Sequence, residues 1–174
     1  MFSLIFPAVA LIGAVVQLFV QKHPRTRERV LEVLLLWFLA VGVGATGIFA
    51  FSGHIFEAQD VAEQIGFPPD NPFQWEVGWA NAAFGVLGIL CIWRRDFWWP
   101  TAIGSAVFLW GAAWGHIYQA VEHDNHKSYN SGPILYMDIL VPLVILVLLY
   151  LYHRSRGAEA RQVTAQPSTS PRGA

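Results

Sequence analysis

Charge is what this chain most lacks. Lys, Arg, Asp and Glu together make up 13% of 174 residues, against roughly 25% in an average soluble domain. So little charge, beside 55% aliphatic, aromatic and Cys residues, cannot clothe a water-facing surface, and a membrane protein is expected. Cysteine is almost as scarce. Cys91 is the single one, which excludes an internal disulfide and any CxxC metal or redox motif. Its place in an apolar run suits a buried, inert thiol. A net charge of −1, with no basic stripe, excludes nucleic acid as an expected partner. The first residues carry no basic n-region and no small-x-small cleavage site, so the leading apolar run reads as a retained span and not as a signal peptide.

What charge there is falls in few places. Ten of the eleven Lys and Arg residues lie between Lys22 and Arg29, at Arg94 and Arg95, or beyond Tyr152, with Lys127 the exception. A bilayer span takes about 20 mostly apolar residues, and five segments fit: Phe2 to Val20, Val30 to Phe51, Trp75 to Trp93, Phe97 to Val121 and Ile134 to Tyr152. Five spans put every basic cluster on one side, the positive-inside pattern, with the N-terminus out and the C-terminus in. The expectation is an all-α integral membrane bundle over residues 1–153, in a bacterial cytoplasmic membrane. A disordered cytoplasmic tail rich in Ser, Thr, Gln, Pro and Gly is expected over residues 154–174. Trp75, Trp79, Trp93, Trp98 and Trp99 at span ends suit interfacial anchors.

The connection Ser52 to Gln74 is then extracytoplasmic. Within it, Ile55, Ala58, Ala62 and Ile65 recur at helical spacing, so His54 to Ile65 is expected as one amphipathic helix lying at the outer interface. The stretch Gly66-Phe67-Pro68-Pro69 ends it with turn residues.

Small residues form stripes inside the spans. The run Gly42-Val43-Gly44-Ala45-Thr46-Gly47 matches GxGxxG, yet it lacks the strand before and the helix opening after that a dinucleotide fingerprint requires. Close helix packing is the better reading for Gly44 and Gly47, for Gly78, Gly85 and Gly88 on the third span, and for Gly111 and Gly115 on the fourth.

Ionisable residues gather at one depth. In antiparallel order, Glu76, His116 and Asp138 come from three spans to the outer leaflet. His54, Glu57, Gln119 and His123 lie nearby as outer candidates. His116, Gln119 and His123 share a helix face. Asp138 lies between Met137 and Ile139 inside an apolar run, where an acid needs a partner. Carboxylates with imidazoles at this spacing suit a divalent metal such as Fe, Mn or Zn, or else a small polar ligand or a proton relay. Independent interfacial polar groups are the plain alternative. Glu32, one turn from Arg29, reads as half of a local ion pair.

The runs Trp75-Glu76-Val77-Gly78-Trp79-Ala80-Asn81, Gly115-His116-Ile117 and Tyr136-Met137-Asp138-Ile139-Leu140-Val141-Pro142 resemble a family of small polytopic bacterial membrane proteins of unknown function. The resemblance covers residues 70–145 and implies the membrane class without an activity. The function expected is a membrane protein with an outer-leaflet His/carboxylate pocket for a metal or small polar ligand. A proton-coupled transporter or channel subunit, and a structural or assembly subunit, are the alternatives. Besides the lipid bilayer, a homo-oligomer or a membrane-protein partner is left open. No nucleophile arrangement points to an enzyme.

Overall fold

The computed structural model describes residues 2–69 and 71–165, with side chains described over 3–69 and 71–157. Every regular element among them is helical. The helices are α1 (Phe2–Val20), α2 (Arg27–Trp37), α3 (Thr46–Phe56), α4 (Ala58–Ile65), α5 (Phe73–Leu90), α6 (Trp98–Glu122), α7 (Ser128–Ser131) and α8 (Pro133–Ala165). A π-helix over Phe38–Ala45 joins α2 to α3, so one helical rod runs from Arg27 to Phe56.

Thr26 starts this rod, its hydroxyl accepting from the Arg29 N–H at 3.2 Å. Leu31, Leu35, Leu39 and Val43 then recur every fourth residue and are all buried. They pack with Trp98 and Ala102 of α6 and with Val141, Ile145, Leu149 and Tyr152 of α8 to form the main apolar core. At Glu57 the backbone leaves the helical region (φ −126°, ψ 36°), and the chain turns into α4. Gly66 closes α4 in the left-handed conformation (φ 96°), where a Cβ would be strained. Asn125, after α6, donates to the freed Ile65 carbonyl at 2.9 Å and ties the two turns together.

Neighbouring long helices run antiparallel. Gln21 meets Arg29 and Phe6 meets Phe49 between α1 and the rod. A Cβ built on Gly88 would lie against Gly44, and one built on Gly78 against Ile55, which sets α5 against the rod. Trp99 donates to His153 at 2.8 Å, while His116 faces Asp138 at the far end of the α6–α8 pair. The α1–α2 turn, the α5–α6 turn and the polar end of α8 therefore share one end of the bundle. There Arg29 pairs with Glu32 at 2.9 Å, as expected, and Arg95 also reaches Glu32 across the turn. Arg156 approaches Glu28 at 3.4 Å. Arg94 grips Asp96 through two hydrogen bonds, which hold that carboxyl below its ordinary range.

Three helical stretches are long and apolar enough to cross a membrane: Ser3–Val20, Arg27–Phe56 and Ser128–Gly157. Large apolar side chains also stand exposed along α5 and α6, among them Trp79, Val86, Val107 and Trp114. The outer faces of the bundle thus present extended apolar surface.

Several boundaries differ from the sequence reading. The second span is longer at both ends, because Thr26 caps it and nothing breaks it before Glu57. His54 accordingly belongs to α3, and the short amphipathic helix begins at Ala58. The last helix continues through residues 154–165, a stretch expected to be tail. Ala, Glu, Arg and Gln there favour helix, and an apolar run ending is no stop signal. Residues 166–174, the rest of that expected tail, lie outside the described residues.

Candidate functional site

The rod, α5, α6 and α8 bring polar side chains to the end of the bundle opposite the arginines. Two groups form there. In one, His54 of α3 and Gln74 of α5 meet at 2.6 Å, the ring Nδ1–H donating to Gln74 Oε1. Gln74 is 2% exposed, and the His54 Cβ packs close to where a Cβ on Gly78 would sit. A cleft of about 310 Å³ opens beside this pair, lined by Ala58, Gln59, Asn71, Pro72, Gln74 and Trp75.

The other group is deeper. His116 Nε2 lies 3.6 Å from Asp138 Oδ2, with both side chains largely buried. Asn130 of α7 is wholly buried behind them. Its Nδ2 donates to the Asn125 carbonyl at 2.8 Å and to the His116 carbonyl at 3.1 Å. Those two donations fix which way the amide points, so the Oδ1 atom facing His116 Nδ1 at 2.9 Å is an acceptor. His116 Nδ1 must therefore carry a hydrogen. In neutral His116 the proton is then on Nδ1, and Nε2 turns a bare lone pair toward Asp138. The two groups attract only if a further proton lies between them, as imidazolium with carboxylate or as imidazole with carboxylic acid. Asn130 thereby leaves Nε2 as the His116 nitrogen that faces Asp138.

The local backbone adds to this. Pro142, four residues after Asp138 within α8, has no N–H to give the Asp138 carbonyl.

The other expected members are placed apart. Glu76 is exposed on the first turn of α5. Glu57 is exposed at the break between α3 and α4. His123 is exposed, its ring edge-on to Tyr118 at 5.4 Å. Gln119 is half-buried, and its carbonyl caps the end of α6 by accepting from the His123 and Asn125 N–H groups. Among the described residues no three His, Cys, Asp or Glu side chains converge as metal ligands. Gln74 and Asn130 were not among the residues singled out from sequence, although both are buried amides at the centre of their groups.

The glycines divide likewise. Cβ atoms built on Gly44, Gly47, Gly85 and Gly88 would fall 2.5–3.0 Å from backbone atoms of the facing helix. Gly111 and Gly115 have nothing within 4 Å of that position.

A sequence-family profile covers residues 1–158 of this chain, both polar groups and all eight helix starts included. The chain belongs to the family of unknown function DUF6790. No curated protein matches it, and no solved structure does. The DUF6790 match takes in the first two apolar stretches as well as His116, Asn130 and Asp138, and it stops within α8.

Proposed function

We propose that this is a five-span protein of a bacterial cytoplasmic membrane that takes up a proton, or a small hydrogen-bond donor, at its extracytoplasmic end through His116 and Asp138. The single observation behind the site is the orientation of Asn130, which puts a hydrogen on His116 Nδ1 and leaves Nε2 and Asp138 to share one proton. The observation behind the topology is that Lys22, Arg25, Arg27, Arg29, Arg94, Arg95, Arg154 and Arg156 occupy one end of an alternating bundle, while His116 and Asp138 occupy the other. Positive ends stay in the cytoplasm. α5 and α6 carry too many Trp, Gly and amide residues to rank with the three most apolar stretches, but their exposed apolar faces favour lipid.

The chemistry favours a donor over a metal. A metal takes three or more protein ligands, and among the described residues no three His, Cys, Asp or Glu side chains converge here. A spot built on an imidazole lone pair and a carboxylate suits a proton, water or an ammonium group and repels an anion. The cleft beside Gln74, at the same end, carries a second reading as the seat of a small polar ligand.

Infrared spectra of the reconstituted protein across stepped pH test the site. A carboxylic C=O band that titrates, vanishes in Asp138→Asn and shifts in His116→Gln is expected. A spectrum in which neither a carboxylic C=O band of Asp138 nor an imidazolium band of His116 responds to the other residue's substitution at any pH refutes the shared proton.

A further inference from the structure

The opposite end of the bundle carries a second unassigned site, in the turn between α1 and α2. This turn is built, not loose. Gln21 Oε1 accepts from Arg29 Nη2 at 2.6 Å across it, and Thr26 caps the helix that follows. Arg25 Nε donates to the Leu18 carbonyl at 3.2 Å, and its guanidinium lies 4.6 Å above the Phe19 ring.

Three observations at this turn point to an anion. First, each acid with a described side chain at this end is already engaged: Glu32 by Arg29 and Arg95, Glu28 by Arg156, Asp96 by Arg94. Lys22, Arg25 and Arg27 form no ion pair among the described residues, so three exposed cations stand uncompensated. Second, Arg29 Nε is buried with no hydrogen-bond partner, so the charge of this guanidinium is not fully answered by Glu32 and Gln21. Third, the long rod starts here, and the positive end of its dipole faces the same space.

A fourth observation tells what kind of anion. Phe19 and Val20, the last residues of α1, are 69% and 74% exposed directly beside the cations. A soluble anion leaves that apolar surface bare. An amphiphile covers it, with acyl chains along the outer face of α1 and a charged head among the cations.

We propose that the turn Gln21–Arg29 is a binding site for the headgroup of an anionic phospholipid of the inner leaflet. The siting in the inner leaflet rests on the five-span reading above, whereas the headgroup preference does not. The exposed cations Lys22, Arg25 and Arg27 hold the phosphate, and Phe19 and Val20 receive the first methylenes of the chains.

Native mass spectrometry tests this on the full chain released from nanodiscs of equimolar phosphatidylglycerol and phosphatidylethanolamine. The wild type should retain phosphatidylglycerol in clear excess. Lys22→Gln, Arg25→Gln and Arg27→Gln together should abolish the excess, at about fivefold per cation removed (~1 kcal/mol each near a charged lipid surface). Should the triple variant fail to fold, Lys22→Gln with Arg27→Gln leaves the Arg25 contact with Leu18 in place and should still lose most of the excess. Arg94→Gln, at the same end but paired with Asp96, should keep it. Equal retention of both lipids by the wild type overturns the site, as does a loss in Arg94→Gln as large as in the triple variant. Displacement of the lipid by millimolar inorganic phosphate shows a free-anion site and overturns it too. A reporter after Ala174 that reads extracytoplasmic overturns the five-span reading alone, since the mass spectrum reads lipid preference in either orientation.

Discussion

A pair of glycine substitutions separates packing from composition. A Cβ on Gly88 would lie 2.5 Å from the Gly44 nitrogen, 2.6 Å from the Leu39 carbonyl oxygen and 2.7 Å from the Gly44 Cα. All three are backbone atoms, which cannot rotate away. Gly88→Ala therefore forces α5 from the π-helix by about 1 Å to recover ordinary contact, since real Cβ contacts lie at 3.4–4 Å. Overpacking of this kind costs about 1–3 kcal/mol, and a rigid backbone neighbour places it at the upper end. At about 2–4 °C per kcal/mol for a chain of this size, the melting temperature should fall by roughly 5–10 °C. Gly111→Ala makes the same chemical change on α6 with nothing within 4 Å. It should leave the melt unchanged or raise it slightly, because Ala favours helix by up to about 1 kcal/mol. Tryptophan fluorescence of the two purified variants in mild detergent reads both outcomes. Equal shifts would refute the close approach of α5 to the π-helix, and a Gly111→Ala variant that falls further than Gly88→Ala would reverse the assignment of faces.

The same melts check three further expectations. His116→Ala and Asp138→Asn should each cost about 1–3 kcal/mol, and the double variant should fall short of their sum by at least 0.5 kcal/mol, since each removes the other's partner; strict additivity would make them independent groups. Glu32→Gln strips two guanidinium groups of their shared carboxylate at a side chain only 12% exposed, and about 1–2 kcal/mol should be lost, less than for a fully buried pair because Arg95 is 62% exposed. Asp96→Asn, in an open pair, should leave the melt where it is, and an equal loss in both would show that exposure does not rank these pairs. Reporters after Ala174 and within the α4–α5 turn should read cytoplasmic and extracytoplasmic respectively; the same reading at both would refute the three spans expected between them.

The all-helical class was legible in the sequence because apolar run length is a one-dimensional property. The α1 run, bounded by the polar Gln21, coincides with the observed helix Phe2–Val20. Boundaries elsewhere were less legible because helix ends are set by caps and breaks, not by hydropathy. Thr26 lies before the apolar stretch and Glu57 well after it, and α8 simply propagates into its polar continuation. The π-helix left no readable mark. Within it Gly42 lies against Val141 and Gly44 against Gly88 and Ile89, and a run of small residues is compatible with either winding.

The site was half legible, and helical phase accounts for both halves. On α5 the buried positions are Gln74, Gly78, Gly85 and Gly88, which recur at helical spacing along one face. Glu76 stands two residues from both Gln74 and Gly78, about 200° around the wheel, and so faces outward. The glycine stripe that marked the buried face, extended back by one turn, leads to the amide and not to the acid. On α6 the buried series Ala102, Ser105, Ala106 and Ala113 reaches His116 at the next step of three. Gly111 and Gly115 lie two residues to either side of Ala113 and turn away with Trp110 and Trp114, which are 42% and 71% exposed. Residue type alone nominated Glu76, Gly111 and Gly115; type and phase together select Gln74, His116 and Asp138. Asn130 escapes both criteria. It sits on a single helical turn in a polar connection, and only the meeting of that turn with α6 and α8 buries it. The residue that decides where the proton of His116 resides is thus one whose role exists only in the folded chain.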